Sequence, residues 1–200
     1  MIRMANEEEC FVSYNHPVCS LQDYNDYIGL KGLWGVEWHN SGCINMGYFD
    51  VINPVDDFAR IGENVFPLAT DDAHRIEDCF GGFVMVKSPS LKHEEVYDAL
   101  KRGDFYSSEN PTIEELYIED GIIHIKTSKV KRIIVSADKR YVYPLTAKEG
   151  EYLTEEDIDI TWFLERCNDT INKYEYIRIT LIDEEGKLAY TRAYYLNELI

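Results

Sequence analysis

The chain has 200 residues, 45% of them hydrophobic and 13% aromatic, so it can form one or two packed domains and is not a disordered chain. Its formal net charge is −17, with 37 acidic residues against 20 basic ones, which argues against a nucleic-acid partner or an anionic membrane. We predict no leader segment and no membrane span. Five cysteines without C-x-x-C spacing indicate free thiols in a cytoplasmic protein.

The first 110 residues alternate short strands with short helices. Apolar, β-rich runs predict strands at 10–14, 33–38, 64–69 and 82–86. Helical spacing and capping residues predict helices at 2–9, 20–28, 55–61 and 91–102, with Ser20 as the cap of the second. This alternation is typical of a parallel α/β sheet or barrel. Since a complete barrel takes about 200–250 residues, we predict an α/β fold with a partial (β/α) barrel.

The segment from Asn64 to His74 reads N-V-F-P-L-A-T-D-D-A-H, an apolar run that ends in two acids and a histidine. A buried parallel strand that delivers metal ligands at its carboxyl end has this pattern. If the chain stays extended, the Asp72 and His74 side chains point to the same side, about 6–7 Å apart. Such a pair suits Zn, Mn or Fe better than Ca. The alternative is a solvated turn.

Two other predicted strands also end in polar residues. Pro17 cannot continue a central strand, so His16 is expected at the carboxyl end of the first strand. The second strand carries Glu37 and is followed by His39 and Asn40. Because parallel strands share one carboxyl edge, these side chains are expected to converge with Asp72.

Four motifs together resemble the carboxyl-terminal half of the polymerase and histidinol phosphatase (PHP) superfamily. They are Y-N-H-P at Tyr14 to Pro17, G-V-E-W-H-N at Gly35 to Asn40, T-D-D-A-H at Thr70 to His74, and G-G-F-V-M-V-K-S followed by E-V-Y-D-A-L-K-R-G-D-F-Y-S-S. Members of this family are distorted seven-stranded barrels that hydrolyse phosphoesters with two or three divalent metals. The resemblance covers about residues 2–110.

The resemblance implies that His16, Asp72 and His74 are metal ligands and that Glu37, His39 and Asn40 lie beside the substrate. The opening H-x-H motif of the family and its middle His and Glu ligands have no counterpart in this sequence. We therefore expect a truncated barrel with an incompletely bound metal site. An unclosed barrel would expose apolar residues such as Val36 and Leu68, which predicts a homodimer or a missing amino-terminal half.

Residues 111–200 show a different pattern, with short strands predicted at 116–118, 122–127, 132–137, 152–160, 176–182 and 188–196. Asp120-Gly121 is a hairpin-type turn between the first two of these. This spacing predicts an antiparallel β-sandwich at 111–200. The last hairpin resembles the small sandwich that follows the barrel in one branch of PHP-type proteins.

Two functions follow from these patterns. The first is a metal-dependent phosphoesterase (hydrolase) that acts on a small phosphorylated molecule through divalent Zn, Mn or Fe. Because most of the family's ligands are absent, we expect the isolated chain to have little or no activity. The alternative is a non-catalytic remnant, or a binding module that acts through its β-sandwich or by association with another chain.

Overall fold

The computed structural model describes residues 1–138, 141–167 and 175–199. The chain divides into two compact units, Met1–Glu109 (unit 1) and Asn110–Ile200 (unit 2). The thiols of Cys10, Cys19, Cys43 and Cys79 are free, whereas the predicted free thiol of Cys167 lies outside the described side chains. In the described ranges, no helix combines the length and hydropathy that crossing a membrane requires.

Unit 1 contains helices, strands and one 3-10 turn. In chain order they are α1 (Ile2–Glu7), β1 (Ser13–Tyr14), α2 (Tyr24–Tyr27), β2 (Gly35–Asn40), α3 (Ser41–Asn45), α4 (Asn53–Arg60), β3 (Phe66–Thr70), the 3-10 turn (Ile76–Asp78), β4 (Phe83–Val86), α5 (His93–Arg102) and β5 (Phe105–Ser108). Most of them fall within a few residues of the elements that the sequence predicts.

A parallel sheet of β1, β2 and β3, in that order, forms the centre of unit 1. All six residues of β2 are buried, which is typical of a parallel strand that is covered on both faces. The register shifts between Glu37 and His39, so β2 carries one more residue than β3 at this point. Such a β-bulge changes the direction of the side chains beside it.

Two apolar clusters cover the faces of this sheet. Val36 packs with Tyr27, Val55 and Phe58, which come from α2 and α4. Residues two apart on a strand share a face, so Phe66 and Leu68 lie on the other face, where they pack with Phe105. Val36 is 0% exposed and Leu68 is 6% exposed. The expected open apolar face is therefore wrong for these two residues, because unit 1 closes over them with its own elements.

The strands after β3 depart from the predicted parallel pattern. β4 pairs with β5 in the antiparallel direction, with α5 between them in sequence. Gly103 ends α5 in the left-handed conformation, with φ at 75°, so the chain reverses directly into β5. Unit 1 is thus a mixed α/β unit, and the described residues form no closed barrel.

The second predicted helix begins later than expected. Leu21 has a φ of 53° and is 84% exposed, so Ser20 does not cap a helix there. Asp23 is the cap of α2, and it forms a capping box with Asp26. The reciprocal bonds of this capping box satisfy two backbone donors at once.

Unit 2 consists mainly of antiparallel strands. They are β6 (Ile113–Glu119), β7 (Ile122–Val130), β8 (Arg132–Ala137), β9 (Tyr141–Thr146), β10 (Leu153–Asp159), β11 (Tyr176–Ile182), β12 (Leu188–Thr191) and β13 (Tyr194–Tyr195), with α6 at Thr161–Cys167. One sheet has the order β10-β7-β6, and in a second β12, β11, β8 and β9 are neighbours in that order. Buried and less buried residues alternate along β7 and β8, as in sheets with one face in a core.

Two elements of unit 2 were not predicted. β9 contains Pro144, which has no backbone N–H and therefore weakens the strand pattern in the sequence. β9 nevertheless pairs with β8 over six residues. α6 packs its Trp162 ring on Tyr141 with a centroid distance of 4.2 Å, so its position depends on an aromatic contact that is distant in sequence.

Candidate functional site

A buried carboxylate joins the carboxyl ends of the three parallel strands. Glu37 is 6% exposed and accepts the backbone N–H of His16 at 2.8 Å and the hydroxyl of Thr70 at 2.9 Å. The side-chain amide of Asn40 donates to the same carboxylate at 3.0 Å. These three donors are neutral, and together they offset the cost of burying the carboxylate.

Asn40 connects Glu37 to one of the predicted metal ligands. Its Oδ1 accepts the backbone N–H of Cys43 at 2.9 Å and so caps α3. The amide nitrogen must then point the other way, towards Glu37 and the Asp72 carboxylate, which lies 3.3 Å from it. His16, Glu37, Asn40 and Asp72 therefore lie together, and we call them the strand-end cluster.

His74 does not join the strand-end cluster. Asp72 has a φ of 49°, so the chain turns at this residue and the expected extended Asp72–His74 pair is wrong. His74 is exposed, and its Nδ1 lies 2.7 Å from the carbonyl oxygen of Asp72. The Nδ1 of His16 lies 3.0 Å from Ser20 Oγ. Among the described residues, His16, Asp72 and His74 do not form a group of three ligand atoms within 4.8 Å.

Asp71, the residue before Asp72, explains the turn. Its carboxylate accepts the backbone N–H groups of Phe80, Gly81 and Gly82 at 2.6, 2.8 and 2.9 Å, and the Ser41 hydroxyl at 3.1 Å. Burial alone raises the pKa of Asp71, but these hydrogen bonds outweigh burial and hold the pKa below its usual value. The ionised carboxylate thus pins the chain after β3 to the start of β4.

A second set of ligand atoms surrounds His39, which is 3% exposed. Its Nδ1 lies 3.0 Å from Asp50 Oδ2 and 3.7 Å from Glu109 Oε1, and its Nε2 lies 3.1 Å from Ser41 Oγ. His39, Asp50 and Glu109 each offer a ligand atom within 4.8 Å of the others. The sequence placed His39 beside a substrate and missed both carboxylates, because they lie 11 and 70 residues further along the chain.

A small cavity lies between the two sets of residues. It has a volume of about 20 Å³, and its lining includes His16, Glu37, Asn40, His39 and Asp50. A water molecule needs about 10–15 Å³ of such volume. The cavity therefore has room for about one water molecule or one metal ion, and a larger ligand must bind at its mouth.

The order Ser41, His39, Asp50 matches the hydrogen-bond order of a serine-hydrolase triad. Ser41 is nevertheless 7% exposed, and Gly81 lies so close to its Oγ that a methyl group at Gly81 would overlap it. The backbone N–H groups that could form an oxyanion hole already donate to Asp71. Ser41 therefore cannot reach a substrate, and the three residues do not form a catalytic triad.

Comparison of the chain with family models, with curated proteins and with solved structures gave no match.

Proposed function

We propose that unit 1 is a metal-dependent phosphoesterase-like module of the PHP type, which binds a small phosphorylated molecule at the carboxyl ends of β1, β2 and β3. The observation that supports this most strongly is the strand-end cluster: three separate segments bring His16, Asn40 and Asp72 to one edge of a parallel sheet. Ligands of open parallel sheets bind at this edge.

A divalent ion is the component that this site needs for an anionic substrate. The chain carries a formal net charge of −17, so a phosphate group requires a local positive charge. Zn, Mn or Fe held by Asp72 with His16 or His74 would supply that charge, polarise the phosphoryl oxygens and lower the pKa of a bound water. The Nδ1 of His74 donates to the carbonyl oxygen of Asp72 at 2.7 Å, which leaves its Nε2 as the atom that could bind the ion.

We expect weak binding of a single ion and little turnover. Multinuclear phosphoesterases stabilise the transition state with several metals, and each 1.36 kcal/mol of lost stabilisation lowers the rate about tenfold. We further propose a cytoplasmic protein in which the two antiparallel sheets of unit 2 pack as a β-sandwich that follows the partial barrel in the sequence. Self-association as a homodimer, or association with an amino-terminal half, stays part of the proposal.

A non-catalytic binding module is the second candidate. The observation that favours it is the exposed His74, whose Nδ1 bonds to the backbone carbonyl of Asp72 and not to its carboxylate. In that case the module would bind a metal-associated phosphate without hydrolysing it, or would act through unit 2.

The experiment is calorimetric titration of the full chain with inorganic phosphate, with and without Mn²⁺. Phosphate should bind only when Mn²⁺ is present, and Asp72→Asn should abolish that binding. Asp98→Asn, at an exposed position of α5, is the matched control and should behave like the wild type. Phosphate binding without Mn²⁺, or binding that Asp72→Asn leaves unchanged, would refute the proposal. Hydrolysis of p-nitrophenyl phosphate by the same samples separates the enzyme from the binding module.

A further inference from the structure

We propose that His39, Asp50 and Glu109 bind one divalent transition-metal ion of the Mn, Fe or Zn class. One imidazole nitrogen and two carboxylate oxygens form a ligand set that these metals accept. None of the three residues belongs to the ligands His16, Asp72 and His74, so this site does not rest on the proposed phosphoesterase function.

One of the two distances from His39 Nδ1 matches shared coordination, and the other is about 0.3 Å longer than the tetrahedral value. Ligand atoms at 2.0–2.2 Å from a metal are about 3.0 Å apart at a right angle and about 3.4 Å apart at a tetrahedral angle. The observed distances from Nδ1 are 3.0 Å to Asp50 Oδ2 and 3.7 Å to Glu109 Oε1. The first is also a hydrogen-bond distance, but the second is too long for one.

The hydrogen-bond partners of the two His39 ring nitrogens also favour a bound ion. Ser41 Oγ has one hydrogen, and its neighbours Asp71 Oδ1 and the carbonyl of Thr70 can only accept hydrogen bonds. When Ser41 gives that hydrogen to either oxygen, it accepts the bond from His39, and the hydrogen of that bond is on Nε2. The Nδ1 atom then faces two carboxylates and needs either a second proton or a cation. Metal-binding histidines usually donate a hydrogen bond from the ring nitrogen that does not contact the metal.

A single proton on Nδ1 can bridge to only one of the two carboxylates. It could reach Asp50 Oδ2 but not Glu109 Oε1, and the other oxygen of Asp50, Oδ1, is buried without a hydrogen-bond partner. A buried polar atom of this kind costs free energy. A divalent ion would neutralise both carboxylates at once, and the adjoining cavity of about 20 Å³ has room for about one water ligand.

The protein holds the His39 ring in this orientation. A methyl group at Gly82 would lie 2.6 Å from His39 Cδ2 and 2.8 Å from the backbone nitrogen of Thr70, so Gly82 packs directly on the ring. The backbone next to Asp50 is held in place by a hydrogen bond from the Val51 N–H to the carbonyl oxygen of Trp38 at 3.0 Å. Such prior ordering lowers the entropic cost of binding an ion.

The test is calorimetric titration of the metal-free full chain with Zn²⁺, repeated in buffers of different ionisation enthalpy. The wild type should bind one ion at this site, and the buffer series counts any protons that the ligands release. Asp50→Asn and Glu109→Gln should each weaken that binding by about 100-fold or more. Even the loss of a group that only hydrogen-bonds to a metal ligand lowers metal affinity by about 10–100-fold.

Two controls separate this site from other binding. Asp157→Asn changes the exposed pair in which His124 Nδ1 lies 2.6 Å from Asp157 Oδ1, and it should leave Zn²⁺ binding unchanged. Asp72→Asn removes the ligand of the proposed phosphate site and should also leave this ion bound. Thermal melting without metal shows whether each variant is folded.

Nitrogen-15 spectra of the histidine side chains decide the outcome. The Nδ1 signal of His39 should change on addition of one equivalent of Zn²⁺, and Nε2 should stay protonated. A His39 ring with protons on both nitrogens at saturating Zn²⁺ would overturn the proposal. Zn²⁺ affinity unaffected by both Asp50→Asn and Glu109→Gln would overturn it equally.

Discussion

The Glu37 carboxylate accepts the backbone N–H of His16 at 2.8 Å, across 21 residues of sequence. This bond holds the turn after β1 against β2, and the Thr70 and Asn40 bonds to the same carboxylate add β3 and the start of α3. One side chain therefore sets the relative positions of the strand ends at which we place the phosphate site.

Replacing Glu37 by glutamine should destabilise unit 1. The glutamine oxygen could still accept from His16 and Asn40, but the NH₂ group would face the Thr70 hydroxyl, which would then accept a bond and lose the acceptor for its own hydrogen. A buried donor without a partner costs about 1–3 kcal/mol, and urea unfolding should show a loss of this size. The control is Glu8→Gln at an exposed position, which should leave the free energy of unfolding unchanged. Equal stability of the two variants would contradict this role of Glu37.

Asp71 should make stability depend on pH. Its pKa is lowered in the folded state because the bonds from Gly82, Phe80, Gly81 and Ser41 outweigh burial. A lowered folded-state pKa contributes stability above the unfolded-state value, near 3.9, and that contribution is lost as the pH falls through the folded-state pKa.

Asp71→Asn should therefore be less stable than the wild type at pH 7, and the difference should shrink as the pH falls below about 4. Urea unfolding from pH 3 to pH 7 measures it, with Asp98→Asn as the surface control. A difference between wild type and Asp71→Asn that stays constant over this range would show that the charge of Asp71 is not the cause.

Gly82→Ala should destabilise unit 1 and disturb His39. The added methyl group would meet the backbone nitrogen and oxygen of Thr70 at 2.8 and 2.9 Å as well as His39 Cδ2, and backbone atoms cannot move aside easily. Overpacking of this kind costs about 1–3 kcal/mol. Gly29→Ala is the matched control, since nothing lies within 4 Å of its added methyl group. Thermal melting of the two variants should separate them clearly, and equal melting temperatures would contradict the close packing at Gly82.

The central sheet was predictable from the sequence because its signal is local. The runs around Val36 and Leu68 are apolar and short, they end in polar residues, and they form β2 and β3 in parallel. The same reasoning failed for β4, which resembles the other strands in composition. Its direction depends on its antiparallel pairing with β5, a tertiary contact that no local pattern encodes.

The candidate site was predictable only in part. The strand ends predicted that His16, Asp72 and His74 would converge beside Glu37 and Asn40. The Asn40 amide does join Glu37 to Asp72, but His16 reaches Glu37 through its backbone N–H. The turn at Asp72 was not predictable, since it follows from bonds between Asp71 and residues nine to eleven positions later. The group of His39, Asp50 and Glu109, which we call the His39 set, also has no sequence signature. Asp50 precedes α4 and Glu109 follows β5, so only the fold brings them together.

The most direct test of the phosphate site is the broadening of backbone amide NMR signals by small amounts of Mn²⁺. We would use Asp50→Asn, so that an ion bound by the His39 set does not contribute. Signals of His16, Asn40 and Asp72 should broaden first, and adding Asp72→Asn should abolish this effect. Broadening that begins instead at exposed acidic residues such as Glu8, Glu184 and Glu185, with the strand ends unaffected, would contradict a metal site at the carboxyl ends of β1, β2 and β3.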